Sequence, residues 1–370
     1  NKNYILNYMY EDSVVSNKYN YPILNDENIS KKTIKFSGIN YIDKNLIINK
    51  QAIIEPGTTF LLEKKASIIF KEKVIAKGTI DHPIIFKQKN DDLWGTVALQ
   101  GNNTNFSELN NIILIGGSGA IINNIRYTSM FSLHDTKNIN IKNLKISNNR
   151  NFDDAIHVVY CENIILDNIN IEMAFSDALD VDMSKNIIIK NSFFLNPNND
   201  SIDVMESDVI IESTVMSGSG DKGISVGENS DVLVYNSYLN QNDIGIAVKD
   251  RSTANIFYSD FIDNQYHIKN YQKNYQYGNG GNAKIYKSIF KGNAAIESDK
   301  KSEILVDDSS FDKKQNDIIN NNQIVLTLNN SFKGDKNVIN LTSDLSLEPR
   351  LKLVNKVKNL KFRGSDFFND

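Results

Sequence analysis

The sequence predicts an all-β solenoid, a single-stranded parallel β-helix, from its period, its strand content and its lack of helical repeats. Five fragments line up in the middle of the chain: DAIHVV at 154–159, DALDVD at 177–182, DSIDVM at 200–205, DKGISVGE at 221–228 and DIGIAVKD at 243–250. Their aliphatic anchors Ile156, Leu179, Ile202, Ile224 and Ile246 stand 23, 23, 22 and 22 residues apart. A second aliphatic column follows at Val158, Val181, Val204, Val226 and Val248. Two or three short strands in each such period form the pattern of a parallel β-helix. Leucine-rich repeats share the period, but their fixed leucine spacing and helical segment are missing.

Taken in order, residues 1–32 show no period and read as an N-terminal cap or extension. From Thr33 the chain alternates β-branched and apolar residues with turns such as Glu55-Pro56-Gly57 and Gly78-Thr79, the signature of strands and turns. Residues 94–128, with Gly116-Gly117-Ser118-Gly119, are less regular. From Asn138 the repeat is strict: NINI at 138–141, NIIL at 163–166, NIII at 186–189, DVII at 208–211 and DVLV at 231–234 each open a coil. A second short strand follows each, as in NSFF at 191–194 and NSYL at 236–239. The segment YQKNYQYGNGGN at 271–282 interrupts the repeat as a loop, and strands resume at Ala283. The β-helix is thus expected over 33–345, about a dozen coils rising about 4.8 Å each. Residues 346–370, with the amphipathic stretch RLKLVNKVKNLKF at 350–362, are expected to cap the last coil, whose edge and apolar face would otherwise lie open.

Composition narrows the partners. A hydrophobic fraction of 40% suffices for a continuous core, and a net charge of −4 argues against nucleic acid or a membrane surface as partner. No run of about 18 apolar residues occurs, so no membrane-inserted helix is expected. The single cysteine, Cys161, excludes an internal disulfide. The chain starts at Asn1 with no signal peptide, which reads as a mature or trimmed form and leaves the compartment open.

Equivalent positions of successive coils stack at the inter-strand spacing, so the charged residues sort into columns. The position after the anchor holds His157, Asp180, Asp203, Ser225 and Ala247. Two before it stand Asp154, Asp177, Asp200, Lys222 and Ile244; three after it stand Val159, Asp182, Met205, Gly227 and Lys249, with His134 one coil earlier. Two carboxylates about 5 Å apart repel by roughly 3 kcal/mol at an effective dielectric of about 20. Asp177, Asp180, Asp182, Asp200 and Asp203 must therefore recruit a cation, hold a proton, or pair with Lys222 and Lys249. Calcium suits the first option, and general-acid catalysis suits the second. Asp154, Asp167, Asp208, Asp231 and Asp243 read instead as turn residues, whose side chains bond nearby backbone. Asp180 and Asp203 lie in mid-strand, where adjacent like charges are unfavourable, so use rather than architecture is expected there. His157 is a candidate proton shuttle. His82 and His267 read as incidental, and Tyr271, Tyr275 and Tyr277 as a wall for stacking sugars.

The successive phrases SDALDV, NNDSIDV, GDKGISVG and GIAVK resemble the polygalacturonase-like branch of the pectate-lyase superfamily. Its members carry N-T-D-G-x-D, G-D-D, G-H-G-x-S-x-G and R-I-K on consecutive coils of a right-handed parallel β-helix. The resemblance implies that Asp177 stands for the Asp of N-T-D, Asp200 for the second Asp of G-D-D, Lys222 for the His and Lys249 for the Lys of R-I-K. Phe175 and Ser176 replace N-T, Asn199 replaces the first Asp of the pair, and Ala247 replaces the Arg. The lyase branch is as near. It uses a lysine base beside a calcium ion held by aspartates, which implies Lys222 as base and Asp177, Asp180, Asp200 and Asp203 as calcium ligands. Bacterial surface β-helix proteins share phrases such as GDKGISVGE as well.

Two classes of function follow. The first is an enzyme, a polysaccharide lyase or glycoside hydrolase acting on an acidic polysaccharide. In it Lys222, Asp200, Asp177 and His157 are catalytic, and Lys249, Asp182, Tyr271 and Tyr275 bind substrate. The second is a non-catalytic polysaccharide-binding or adhesion module, or an envelope polysaccharide assembly factor. Both place the protein outside the cell or in its envelope, and a neighbouring module on a longer chain is a further expected partner.

Overall fold

The computed structural model describes residues 33–311 and the strand Ile324–Thr327. The expected caps at 1–32 and 346–370, with the amphipathic stretch, lie outside the described residues, as does most of 312–345. Within them the chain is almost entirely short strands paired in parallel with the coils before and after. One ladder has eleven strands, from Leu46–Ile48 through Ile156–Val159, Leu179–Asp182, Ile202–Met205, Lys222–Gly227 and Ile244–Lys249 to Ala295–Ser298. The other two faces merge into a 22-stranded sheet, because strands such as Lys137–Ser147 and Glu162–Glu172 run round the corner between them.

Corners are made by residues in the left-handed region. Tyr160, Met183, Glu206, Glu228 and Asp250 end the eleven-strand face; Asn143, Asn168, Asn191, Ser213 and Asn236 separate the other two. Asparagine tolerates this conformation because its short amide can bond locally. Here the amides also ladder between coils: Asn163 Nδ2 donates to Asn138 Oδ1 at 2.9 Å, and Asn186 Nδ2 to Asn163 Oδ1 at 3.0 Å. A serine column supplies a second ladder. Ser184 N–H donates to Ser207 Oγ at 2.8 Å, Ser207 N–H to Ser230 Oγ at 3.1 Å and Ser230 N–H to Ser252 Oγ at 3.1 Å. These bonds satisfy buried backbone groups that the corners leave without sheet partners.

The anchor and second aliphatic columns point inward and are fully buried from Ile156 to Val248. Each such side chain contributes about 1.5–3 kcal/mol by leaving water. Aromatic stacks, Phe60 on Phe86 at 4.6 Å and Phe261 on Phe290 at 4.9 Å, fill the interior towards each end. The register is the one the repeat predicts: His157 pairs with Asp180, Asp180 with Asp203, Asp203 with Ser225 and Ser225 with Ala247. His134 pairs with Val159, in the column expected for it. The column therefore stands on the outer surface of the eleven-strand ladder. Among the described residues no helix is long and apolar enough to cross a membrane.

Candidate active site

Alternation along Leu179–Asp182 and Ile202–Met205 turns Leu179, Val181, Ile202 and Val204 inward, which forces Asp180, Asp182 and Asp203 out onto one surface. Two irregular segments border that surface. An antiparallel hairpin, Ala120–Ile122 with Ile125–Tyr127, lies on the outer side of earlier coils, where Ile122 and Tyr127 pack on the outward-facing Ile69 and Ala98. A strap, residues 272–281, folds back along the strand ends. Asp250 Oδ1 accepts the N–H groups of Lys273 and Asn274 at 2.7 and 2.8 Å, Asn274 Nδ2 donates to Glu228 Oε1 at 3.1 Å, and Tyr277 donates to Glu206 Oε1 at 3.3 Å. One loop thus spans three coils.

Three groups of polar side chains lie between these borders. Nearest the hairpin, His157 Nδ1 shares a 2.9 Å hydrogen bond with Thr128 Oγ1, while Nε2 faces Asp182 Oδ2 at 3.2 Å and Asp180 Oδ2 at 3.7 Å. Asp154 is buried behind them and bonds the Thr128 side chain; burial, then the nearby charges of Asp153 and Asp177, push its carboxyl up to about 9. Burial likewise holds Asp180 well above the carboxylate range, reinforced by Asp154, Asp182 and Asp203. His134, edge-on to His157 at 5.4 Å, is driven down to about 4 by burial and so stays neutral.

In the middle group Asp177 Oδ1 accepts Asn199 Nδ2 and the N–H of Asp200, each at 2.7 Å; burial still raises it to about 6. Asp200 Oδ1 accepts the Lys222 N–H at 2.9 Å and Nζ at 3.4 Å, and burial lifts this acid to about 7 against the pull of Lys222. Lys222 is only 8% exposed and is also paired with Asp221. Burial disfavours its charge, but Asp200 and Asp221 together outweigh burial and raise its pKa above the usual lysine value. The Tyr271 hydroxyl lies within electrostatic reach of the same lysine. Asp203 Oδ1 accepts its neighbour's Val204 N–H at 3.0 Å. In the third group Lys249 is buried and donates from Nζ to Ser225 Oγ at 2.8 Å; it lies across Gly227, where a Cβ would approach its Cε to 3.1 Å.

Several sequence expectations change here. Asp154 is not a turn residue but a buried acid of the patch, because Thr128 and the hairpin root close over it. The lysine base implied for Lys222 needs a depressed pKa, and its two carboxylate partners act in the opposite direction. The calcium set Asp177, Asp180, Asp200 and Asp203 does not converge. Asp177 and Asp200 already hold scaffold donors, and among the described residues the group whose ligand atoms lie within 4.8 Å of one another is His157, Asp180 and Asp182. Calcium takes about six to eight oxygen ligands, so a set of one nitrogen and two carboxylates does not fit it. Tyr275, at 89% exposure, stands in solvent on the strap, whereas Tyr271 reaches the patch. Thr128 and Asp221 were missed; the sequence signal for Asp221 was its place beside Lys222, while Thr128 gave none.

Comparison with known proteins follows the same segment. Residues 115–266, less than half of the chain, match the family model of glycosyl hydrolases family 28. No curated protein matches the chain. Among solved structures, an alginate lyase from Paenibacillus sp. str. FPU-7 is similar at 14% identity, covering 73% of this chain and 93% of that one with a TM-score of 0.43. An endo-xylogalacturonan hydrolase from Aspergillus tubingensis is similar at 15% identity, over 75% and 86% of the two chains, TM-score 0.39. PfbA, a surface adhesin of Streptococcus pneumoniae, is similar at 15% identity, over 74% and 78%, TM-score 0.38. The chain is a parallel β-helix protein whose residues 115–266 resemble the glycosyl hydrolases of family 28.

Proposed function

We propose that the protein hydrolyses an acidic polysaccharide laid along the outer face of the eleven-strand ladder, outside the cell or in its envelope. One observation carries this reading: Asp180, whose carboxyl burial and the neighbouring carboxylates raise well above its ordinary value, shares the outer face of the ladder with Asp203 and with the buried lysines Lys222 and Lys249. Asp180 donates its proton to the glycosidic oxygen as the C–O bond breaks. Asp203, one coil along, takes a proton from the water whose oxygen joins the anomeric carbon. Lys222 and Lys249 bind uronate carboxylates as fixed charges. Elimination with Lys222 as base is the less suitable chemistry here, because a lysine must be neutral to take a proton and Lys222 is held as the ammonium by Asp200 and Asp221. No step runs through calcium.

The test is a panel of uronate polymers scored for new reducing ends and for the ultraviolet absorbance of unsaturated products. Reducing ends without that absorbance are expected, with losses of about 10²-fold or more in Asp203→Ala and Lys222→Ala. Full activity in both variants would sink the proposal, and ultraviolet-absorbing products would transfer the site to lyase chemistry. A second reading, binding without turnover, is favoured by Asn199, which stands in place of an acid and ties down Asp177. Glycan binding with no product of either kind would establish it.

A further inference from the structure

The site face is closed at one end. Ile69 and Ala98, the outward residues of two earlier coils, are buried under Ile122 and Tyr127 of the hairpin. The hairpin is built into the body. A Cβ on Gly119 would come within 2.3 Å of the Phe152 ring, and the N–H groups of Asp153 and Asp154 both donate to Thr128 O at 3.2 Å. It also abuts the acids directly, since the Tyr127 ring lies 4.9 Å from His134 and Thr128 bonds His157. At the other end the outward column runs on to Lys269 and Glu297, an ion pair at 3.7 Å whose side chains remain partly exposed.

From this asymmetry, and resting on the reading of the site given above, we propose that the protein works from the ends of polysaccharide chains. One coil rise, about 4.8 Å, is close to the length of one sugar unit. His157 is one coil from Asp180, and Ser132, the next outward residue, is already buried. His157 is itself only 7% exposed and is held by Thr128, so at most about one sugar fits between Asp180 and the hairpin, while the polymer extends over Asp203, Lys222 and Lys249. A chain passing through in mid-length would run into the hairpin, which covers Ile69 and Ala98 and exposes Ile121. The bond broken is the last or next to last, and water supplies the hydroxyl of the new reducing end.

Two measurements on the wild-type chain decide the matter. During the first few per cent of turnover on a uronate polymer, mono- and disaccharides should dominate while viscosity hardly falls. An early ladder of long oligosaccharides with a steep viscosity drop overturns chain-end action and leaves the hydrolase reading intact. Independently of catalysis, light scattering with Asp180→Asn and polymers of graded length should give a constant number of protein molecules per chain. A number rising in proportion to length overturns the proposal, and absence of both binding and turnover on every acidic polymer overturns it together with the site reading. Replacing residues 120–126 by a short glycine–serine link should admit internal cleavage if that variant folds.

Discussion

At Asp154 the fold keeps a proton that a free side chain would release. Its carboxyl titrates near 9 instead of 3.8, so between these values the folded chain binds a proton that the unfolded chain has lost. Stability from this group is therefore complete below about pH 4 and falls as pH rises towards 9. Asp200 and Asp177 add the same trend up to about 7 and about 6. Asp154→Asn removes the titration while keeping the shape. Thermal unfolding should match wild type near pH 4 and exceed it increasingly towards pH 9, by roughly 2–4 °C for each kcal/mol of penalty removed. A pH-independent difference would show that Asp154 does not hold a proton. The columns around it were legible in the sequence, because a fixed period makes Asp180, Asp203 and Lys222 neighbours whatever the loops do. The state of each acid was not legible. It depends on what covers it, and Thr128, which covers Asp154, comes from a stretch with no repeat.

The same contrast holds among elements. Strands, corners and serine ladders follow from local pattern, since alternation fixes inside and outside and a left-handed corner selects asparagine. Ser207 accepts the Ser184 N–H at 2.8 Å and donates to Met205 O at 2.7 Å. Ser207→Ala leaves that buried N–H unpaired and should cost about 1–3 kcal/mol, measured by denaturant unfolding. The hairpin and the strap were visible as breaks in the period, but not their destinations: Asn274 meets Glu228 across 46 positions and Tyr277 meets Glu206 across 71. Asp250→Ala removes the carboxylate that holds Lys273 and Asn274. It should release the strap, seen as faster hydrogen exchange and proteolysis confined to 272–281, with the coils beneath unchanged.

A solenoid in which each coil touches mainly its neighbours has a stability close to a sum of local terms. Phe290 lies between Phe261 and Phe311, stacked at 4.9 and 4.8 Å. Phe290→Ala should cost about 3–5 kcal/mol and lower hydrogen-exchange protection in the coils around it, while those from Phe131 to Met205 keep theirs. Uniform loss along the chain would mean that the coils unfold as one unit. The same architecture gives the patch its chemistry: rigid stacking at a fixed rise holds acids closer together than free chains would tolerate, and the cost is met by retained protons and by Lys222. Its most direct test is the initial rate of reducing-end formation on the preferred uronate polymer, for wild type and Asp180→Asn. A fall of about 10²-fold or more with polymer binding retained is the predicted result. Equal rates in the two proteins, or no turnover of any acidic polymer by wild type, would contradict it.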